Sequence, residues 1–302
     1  MTAQPVEQPG PAPAAWRAHR SGVAHVDELL AVLAVEQVDE LTWAGGSVIW
    51  PHGRIYGGQI LAQSAVAAGQ TADPSAVAHS LHAYFMRAGR PDVPVRFVVE
   101  PLRDGRSFGT RRVDAVQDGE VIATTLISFH RPESGPQHQD RMPARPYPAE
   151  PVDRGPFAAA PGLPGRIGAM ELRPCRLDDG DDQASSSVWM RIGGPLPDDP
   201  HLHRALLIFL SDMTLLYGAF RAHGLARREV RTASIDHSLW LHRPGRVDEW
   251  VLYDSRSPST GQGRAMGQGR LFSAAGDLLA GAAQEMSVRA SRRGGAGPDP
   301  RA

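Results

Sequence analysis

From Ala205 to Phe220 the chain reads ALLIFLSDMTLLYGAF, and its only ionisable groups are Asp212 and the phenol of Tyr217. A carboxylate inside an apolar helix costs free energy unless it is paired, hydrogen-bonded or neutralised, which makes Asp212 a candidate for proton transfer. The competing reading puts it on a thin polar stripe with Ser211 and Thr214, facing water. Gln284 is the second anomaly. Alternation along LLAGAAQEMSV sets its amide on the face of Ala282, Met286 and Val288, where it needs partners. Structural hydrogen bonding and a role in a site both satisfy that need. Ser234 falls by parity with Thr232, Asp236, Ser238 and Trp240, a mostly polar face, and reads as a surface serine. Gly57-Gly58-Gln59 opens another helix. Glycines there let a ligand approach the backbone, and free N–H groups favour negative charge, either a phosphate or an acyl-transfer oxyanion. A plain N-terminal turn has the same sequence.

Other apparent motifs do not carry chemistry. GRSFG at 105–109 matches a nucleophile elbow, but that elbow must lead into a helix and TRRVDAV reads as a strand. Asp236 and His237 suggest a dyad with Ser234, yet strand neighbours point to opposite faces. The glycines of GQGRAMGQG lack dinucleotide-loop spacing. His201 and His203 lack convergent ligands, and the acidic run at 178–182 lacks calcium-loop spacing. Cys175 is the only cysteine, which excludes an internal disulfide and a cysteine-based zinc site, and it reads as a structural thiol.

The elements that position these residues occur twice. An Ala-rich helix over 58–68 precedes extended runs at AHSLHAYFM, VRFVVEPL, GTRRVDAV and VIATTLISF. A second helix, over 202–220, precedes TASIDHSLWL, EWVLYDS, GRAMGQGRLF and LLAGAAQEMSV. Arg87-Ala88-Gly89 recurs as Arg243-Pro244-Gly245 and Gly105 as Gly261, both at an offset of 156, and Gly119 as Gly276 at 157. Together they support a duplication. One helix followed by an antiparallel meander is an α+β plan, and the second helix, apolar nearly all round, is expected at the centre.

Composition sets the frame. The chain has 302 residues, enough for two ordinary domains, and a formal net charge of -1, which gives no basic field for nucleic acid. All 32 basic residues are Arg. No apolar run approaches the ~20 residues of a membrane helix and no signal peptide is visible, so the cytoplasm is the default expectation. Pro-, Gly- and Ala-rich stretches predict tails at 1–22 and 291–302 and a linker over 132–183, leaving domains at 23–131 and 184–290.

RIYGGQILAQSAVAA, AHSLHAYFMRAG and LRDGRSFGTRRVDAVQDG resemble the N-terminal half of type II acyl-CoA thioesterases. LIFLSDMTLL, TASIDHSLWLHRP, EWVLYDSRSPS and LLAGAAQEMSVR are similar to the C-terminal half. The resemblance implies a double hotdog fold, two helix-wrapped antiparallel sheets side by side in one chain. It implies hydrolysis of acyl-CoA with no cofactor or metal. It assigns the catalytic roles to Asp212 in LSDMT, Ser234 in TASIDHS and Gln284 in AAQEMS, gathered around one water. Ser234 enters on the resemblance alone. Asp212 is then the general base, Ser234 and Gln284 hold the water, and an N–H near Gly58 or Gln59 takes the oxyanion. Anhydride formation by Asp212 is the chemical alternative. One site per chain follows, and a homodimer or tetramer by analogy with other hotdog sheets. The rivals are a hotdog hydratase, which needs a His beside the acid, and a non-catalytic acyl-CoA-binding protein, which needs no acid. Acyl-chain length and the CoA contacts are not legible.

Overall fold

The computed structural model describes residues 13–50, 53–148, 166–176, 182–224 and 230–290. The expected tails at 1–12 and 291–302, and parts of the expected linker at 149–165 and 177–181, lie outside these residues. In chain order come α1 (Pro13–Ala18), α2 (Ala24–Leu33), β1 (Glu36–Asp39), β2 (Thr42–Gly45) and α3 (Gly57–Gly69). The strands β3 (Val77–Phe85), β4 (Val95–Asp104), β5 (Phe108–Gln117) and β6 (Glu120–His130) complete the first half. The second opens with β7 (Arg166–Ile167), β8 (Met170–Pro174), β9 (Ser185–Ile192), α4 (Pro200–Ser211) and α5 (Tyr217–Ala222). It closes with β10 (Val230–Ser234), β11 (Asp236–Leu241), β12 (Val251–Gly261), β13 (Arg264–Ser273) and β14 (Leu278–Ala290).

All of these strands form one sheet in the order β1-β2-β4-β5-β6-β3-β11-β14-β13-β12-β9-β8-β7, with β10 also on β14. The halves meet at the antiparallel pair β3–β11, in the register Leu239 to Leu81 and Asp236 to Tyr84. In the first half the sheet curls around α3, which touches β2 through β6. Residues Gly58 to Ala68 are all buried, so the polar Gln59, Gln63 and Ser64 sit inside with the alanines. The two helices pack on each other at the centre. A Cβ on Gly58 would stand 2.4 Å from the Phe209 carbonyl oxygen, so only glycine permits α3 to approach α4 this closely.

The duplication is visible in matching backbone bonds. The amides of Met86 and Arg87 both donate to Ile122 O, and those of His242 and Arg243 both donate to Leu279 O. Gly119 and Gly276 turn the equivalent hairpins at φ 79° and 95°, a region glycine enters without a Cβ clash.

The structure departs from the sequence expectations in four places. Each half is expected to open with its helix, but β1 and β2 precede α3, and β7, β8 and β9 precede α4. Residues 13–18, expected in a tail, form α1, and Trp16 is 1% exposed. The segment expected as a linker contains β7 and β8. Its residues at 132–148 hold no helix or strand and lie along the second half. There Met142 packs with Trp189, Trp250, Leu252 and Phe272, and Trp189 Nε1 donates to Pro146 O at 2.8 Å. The helix expected over 202–220 ends at Ser211 and resumes as α5. Its start is fixed by Asp199, whose carboxylate accepts from the amides of His201 and Leu202, and by Pro200 in the first turn. Its end is fixed by hydroxyls. Tyr56 donates to Phe209 O at 2.8 Å and Tyr253 to Ser211 O at 2.6 Å. These satisfy carbonyls that a longer helix would offer to its own amides.

Candidate active site

Asp212 is therefore the C-cap of α4 rather than a mid-helix residue. Its carboxylate Oδ2 accepts from the Gly58 amide at 2.9 Å, so the end of one helix meets the start of the other. Asp212 keeps a partly accessible edge. Burial raises its pKa above the ordinary Asp value, against opposing pulls from His237, the Gln284 side chain and the Gly58 amide. The two tyrosine hydroxyls that hold the end of α4 sit in the same enclosure. Burial first, and the Asp212 charge second, push both phenols well above their ordinary range, so they act as neutral donors.

Gln284 is 2% exposed and lies on the inner face of β14. Its Nε2 donates to Ser234 Oγ at 2.6 Å, and its Oε1 stands 2.8 Å from His237 Nδ1. The far nitrogen of His237, Nε2, lies 2.9 Å from Ser211 Oγ. His237 and Ser211 are both fully buried.

Strict alternation would turn Ser234 away from this cluster. The chain avoids that with one extra residue. Ser234 pairs with Met286 and Ser238 with Ala283, so four steps on β10–β11 oppose three on β14. Such a bulge re-aims the side chains around it. Ile235 N bonds Glu285 O, and Asp236 Oδ1 takes the Glu285 amide at 2.7 Å, which fixes the irregular step. Ser234, His237 and Gln284 consequently share one face. The polar-face expectation for Ser234 fails here, as does the parity argument that separated it from His237.

The structure thus brings Asp212, Ser234, Gln284 and Gly58 together. A Cβ on Gly57 would meet Asp212 Oδ2 at 2.7 Å and Phe85 at 3.0 Å, so the glycine pair makes room for the acid. Gln59 does not join them. Its Oε1 accepts from Val48 N, and its Nε2 donates to Gly46 O and Gln63 Oε1. Its amide is spent on holding the 46–48 segment, and its backbone N–H is bonded to Tyr56 O. The Gly58 N–H, expected to face an oxyanion, serves Asp212 instead. Parity alone sets His237 aside as a partner of Ser234, yet in IDHSLWL it alternates with Leu239 and Leu241 and so belongs to the apolar face.

The remaining candidates are elsewhere. Residues 105–109 lead into β5, a strand. Cys175 packs in the Trp189 cluster with its thiol pushed up to about 11 by burial, which removes it as a nucleophile. A cleft of ≈ 240 Å³ lined by Asp198, His203, Arg204, Arg243 and Arg246 lies at the opposite end of α4 from Asp212. Among the described residues no three His, Cys, Asp or Glu side chains converge as metal ligands, and no helix is long and apolar enough to cross a membrane.

Known proteins place this architecture. Residues 169–287 match the family model described as acyl-CoA thioesterase, and residues 47–130 match the acyl-CoA thioesterase N-terminal domain. The chain is 32% identical over 281 residues to acyl-CoA thioesterase 2 of Haemophilus influenzae, covering 88% of this chain and 98% of that one. It is 34% identical over 280 residues to human acyl-coenzyme A thioesterase 8, covering 85% and 88%. The crystal structure of acyl-CoA thioesterase II TesB2 from Mycobacterium marinum superposes with a TM-score of 0.76 at 38% identity, covering 89% of this chain and 99% of that one. A protein from Alicyclobacillus acidocaldarius described as having a hot dog fold superposes at 0.68 with 21% identity over 87% and 98%, a likeness of fold alone. With both halves matched and the fold shared, this chain belongs to the acyl-CoA thioesterase family and is a double hotdog.

Proposed function

We propose that this acyl-CoA thioesterase hydrolyses its substrate with a water activated by Asp212 and held by Ser234 and Gln284. The observation that carries the reading is the convergence of these three side chains, drawn from α4, β10 and β14, beside the Gly58 amide of the other half. Burial raises the Asp212 pKa, which makes its carboxylate a stronger base than a solvated one. The Gly58 N–H and the Gln284 amide hold that carboxylate in place, so its free edge can take a proton from water. Ser234 Oγ already accepts from Gln284, which leaves its own hydrogen and second lone pair for the water. Attack on the thioester carbon expels a thiolate, a good leaving group that takes the proton from Asp212. When the carbonyl oxygen becomes an oxyanion, Asp212 is protonated and holds the Gly58 N–H less strongly, so that amide becomes available to the new charge.

The hydratase reading needs a His beside the acid to handle a proton, and His237 lies near Asp212, but both of its ring nitrogens are bonded, to Ser211 Oγ and Gln284 Oε1. The substrate is read as acyl-CoA and the compartment as the cytoplasm. Association into a dimer or tetramer is supported by Tyr84, Leu126 and Trp240, large apolar side chains left exposed on strands beside the seam. The test is thiol release from a series of acyl-CoAs by the wild-type chain, Asp212→Asn and Ser234→Ala. Loss in both variants with the fold intact supports the reading, and unchanged turnover in Asp212→Asn refutes it. A single turnover in labelled water separates the routes, because label in the enzyme carboxylate would establish an anhydride.

A further inference from the structure

His237 belongs to none of the roles above, yet it is fully buried beside them and makes two side-chain hydrogen bonds. What it does follows from counting hydrogens. The end of the Gln284 side chain that faces Asp212 must be the nitrogen, because an amide oxygen turned toward a carboxylate would repel it. That end donates to Ser234 Oγ at 2.6 Å. The amide oxygen then faces His237 Nδ1 at 2.8 Å, and an oxygen that only accepts requires the hydrogen on Nδ1. Burial lowers the His237 pKa, against the opposing charge of Asp212, so the ring is neutral and carries only that hydrogen. Its Nε2 is the acceptor and takes the one Ser211 hydroxyl hydrogen at 2.9 Å, so Ser211 does not donate to Ile208 O, 2.8 Å from the same hydroxyl. The series Ser211 to His237 to Gln284 to Ser234 therefore has a single polarity, each member donating to the next.

We propose that His237 is the positioning residue of this site. Its Nδ1–H fixes the Gln284 amide so that nitrogen, not oxygen, is presented to Ser234, Asp212 and the attacking water. The proposal rests on the Asp212, Ser234 and Gln284 reading and adds what orients one of its members. Without the Nδ1–H, the amide can turn over and offer Ser234 and the carboxylate an oxygen. The water then loses a donor, while the surfaces that bind acyl-CoA are unchanged. Neighbouring residues supply no substitute, because Ser211 is on the far side of the ring and Asp236 is committed to the Glu285 amide.

The test compares His237→Asn with His237→Gln in the full chain. Asn places an amide N–H at the Nδ1 position and keeps the bond to Gln284. Gln reaches the Nε2 position and keeps only the Ser211 side. Turnover is followed with the fastest substrate in a series from acetyl- to palmitoyl-CoA, and thermal unfolding confirms the fold of each variant. The expected result is a loss of about 100-fold in kcat for His237→Gln, as for a misplaced positioning group, with KM within about threefold. His237→Asn regains most of that loss. Adding His237→Gln to Gln284→Ala slows the enzyme no further, since the two act through one another. Equal losses in Asn and Gln, or an additive double variant, would overturn the proposal. If Gln284→Ala itself turns over like wild type, the three-residue reading falls and takes this inference with it. If Gln284→Ala collapses while both His237 variants match wild type, only the role of His237 is lost.

Discussion

The Gly58 amide and the Asp212 carboxylate meet at 2.9 Å across 154 residues of sequence and across the two halves of the chain. The opposite end of the same helix pair has no equivalent. There α4 begins with Pro200, which has no N–H, and the His201 amide is taken by Asp199 at 2.8 Å. The C-cap of α3 is Gln70 where α4 has Asp212. Duplication made two ends, and at only one does the end of one helix supply an acid to the start of the other. A titration of active sites against chain concentration is expected to give one site per chain, and two equal sites would contradict this asymmetry.

Gly57 is a direct probe of that contact. A Cβ there would press on Asp212 Oδ2 at 2.7 Å and on the Phe85 ring at 3.0 Å. The overpacking costs about 1–3 kcal/mol, and the helix preference of Ala over Gly returns up to about 1 kcal/mol. Gly57→Ala should therefore fold, with the carboxylate displaced and kcat reduced by about 100-fold. A variant with wild-type kcat would show that the carboxylate position is not critical.

The raised Asp212 pKa links activity and stability in opposite senses. As the base, Asp212 must be ionised, so the acidic limb of kcat/KM should lie above the ordinary Asp value of ~3.9. For stability the folded chain holds this proton more tightly than the unfolded one, so stability falls as pH rises from the unfolded toward the folded pKa. The penalty is complete above the folded pKa and is relieved below the unfolded value. Asp212→Asn should accordingly melt higher than wild type near neutrality, with the gap closing as pH is lowered. His237, whose pKa is lowered, destabilises both chains as pH falls below ~6.5, so the comparison is made between the two at each pH. A variant that melts lower at neutral pH would show that the carboxylate is a net structural asset.

The parts of this site that alternation could expose were legible in the sequence, and those that depend on a broken pattern were not. Asp212 and Gln284 stand out because each is polar in an apolar run, and both lie in the cluster. Ser234 does not, because the bulge at Ile235 reverses its parity relative to His237, and nothing in TASIDHS marks an inserted residue. The long strands on either side of the seam read clearly as extended. The short β1, β2, β7 and β8 were not legible, since two to five residues carry too little periodicity. The end of α4 was missed for a different reason. It is set by hydroxyls of Tyr56 and Tyr253, far away in sequence, and not by a local stop signal.

Trp16 supplies the last prediction, because composition alone assigned it to a tail. The indole is 1% exposed, and Nε1 donates to Asp199 Oδ2 at 2.6 Å. Asp199 is the N-cap of α4, so α1 is tied to the start of the helix that ends in Asp212. The ring sits with Ala65 and Val66 of α3, Ala78 and Phe129 of the sheet and Ile208 of α4, around a cavity of ≈ 30 Å³. It thus fills the end of the helix pair where α3 supplies no acid to α4. Removing it leaves a large void there and frees one side of the Asp199 cap, at a cost of about 3–5 kcal/mol for Trp16→Ala. The helix rise puts Asp212 about 18 Å from Pro200, beside the Asp199 cap that Trp16 holds, so kcat per folded molecule should change little. Urea unfolding and active-site-normalised turnover measure the two quantities. A loss of stability below about 1 kcal/mol would return residues 13–18 to the status of a tail. A large loss of stability with unchanged kcat would show that the Trp16 end of the helix pair is a structural anchor for the end that carries Asp212.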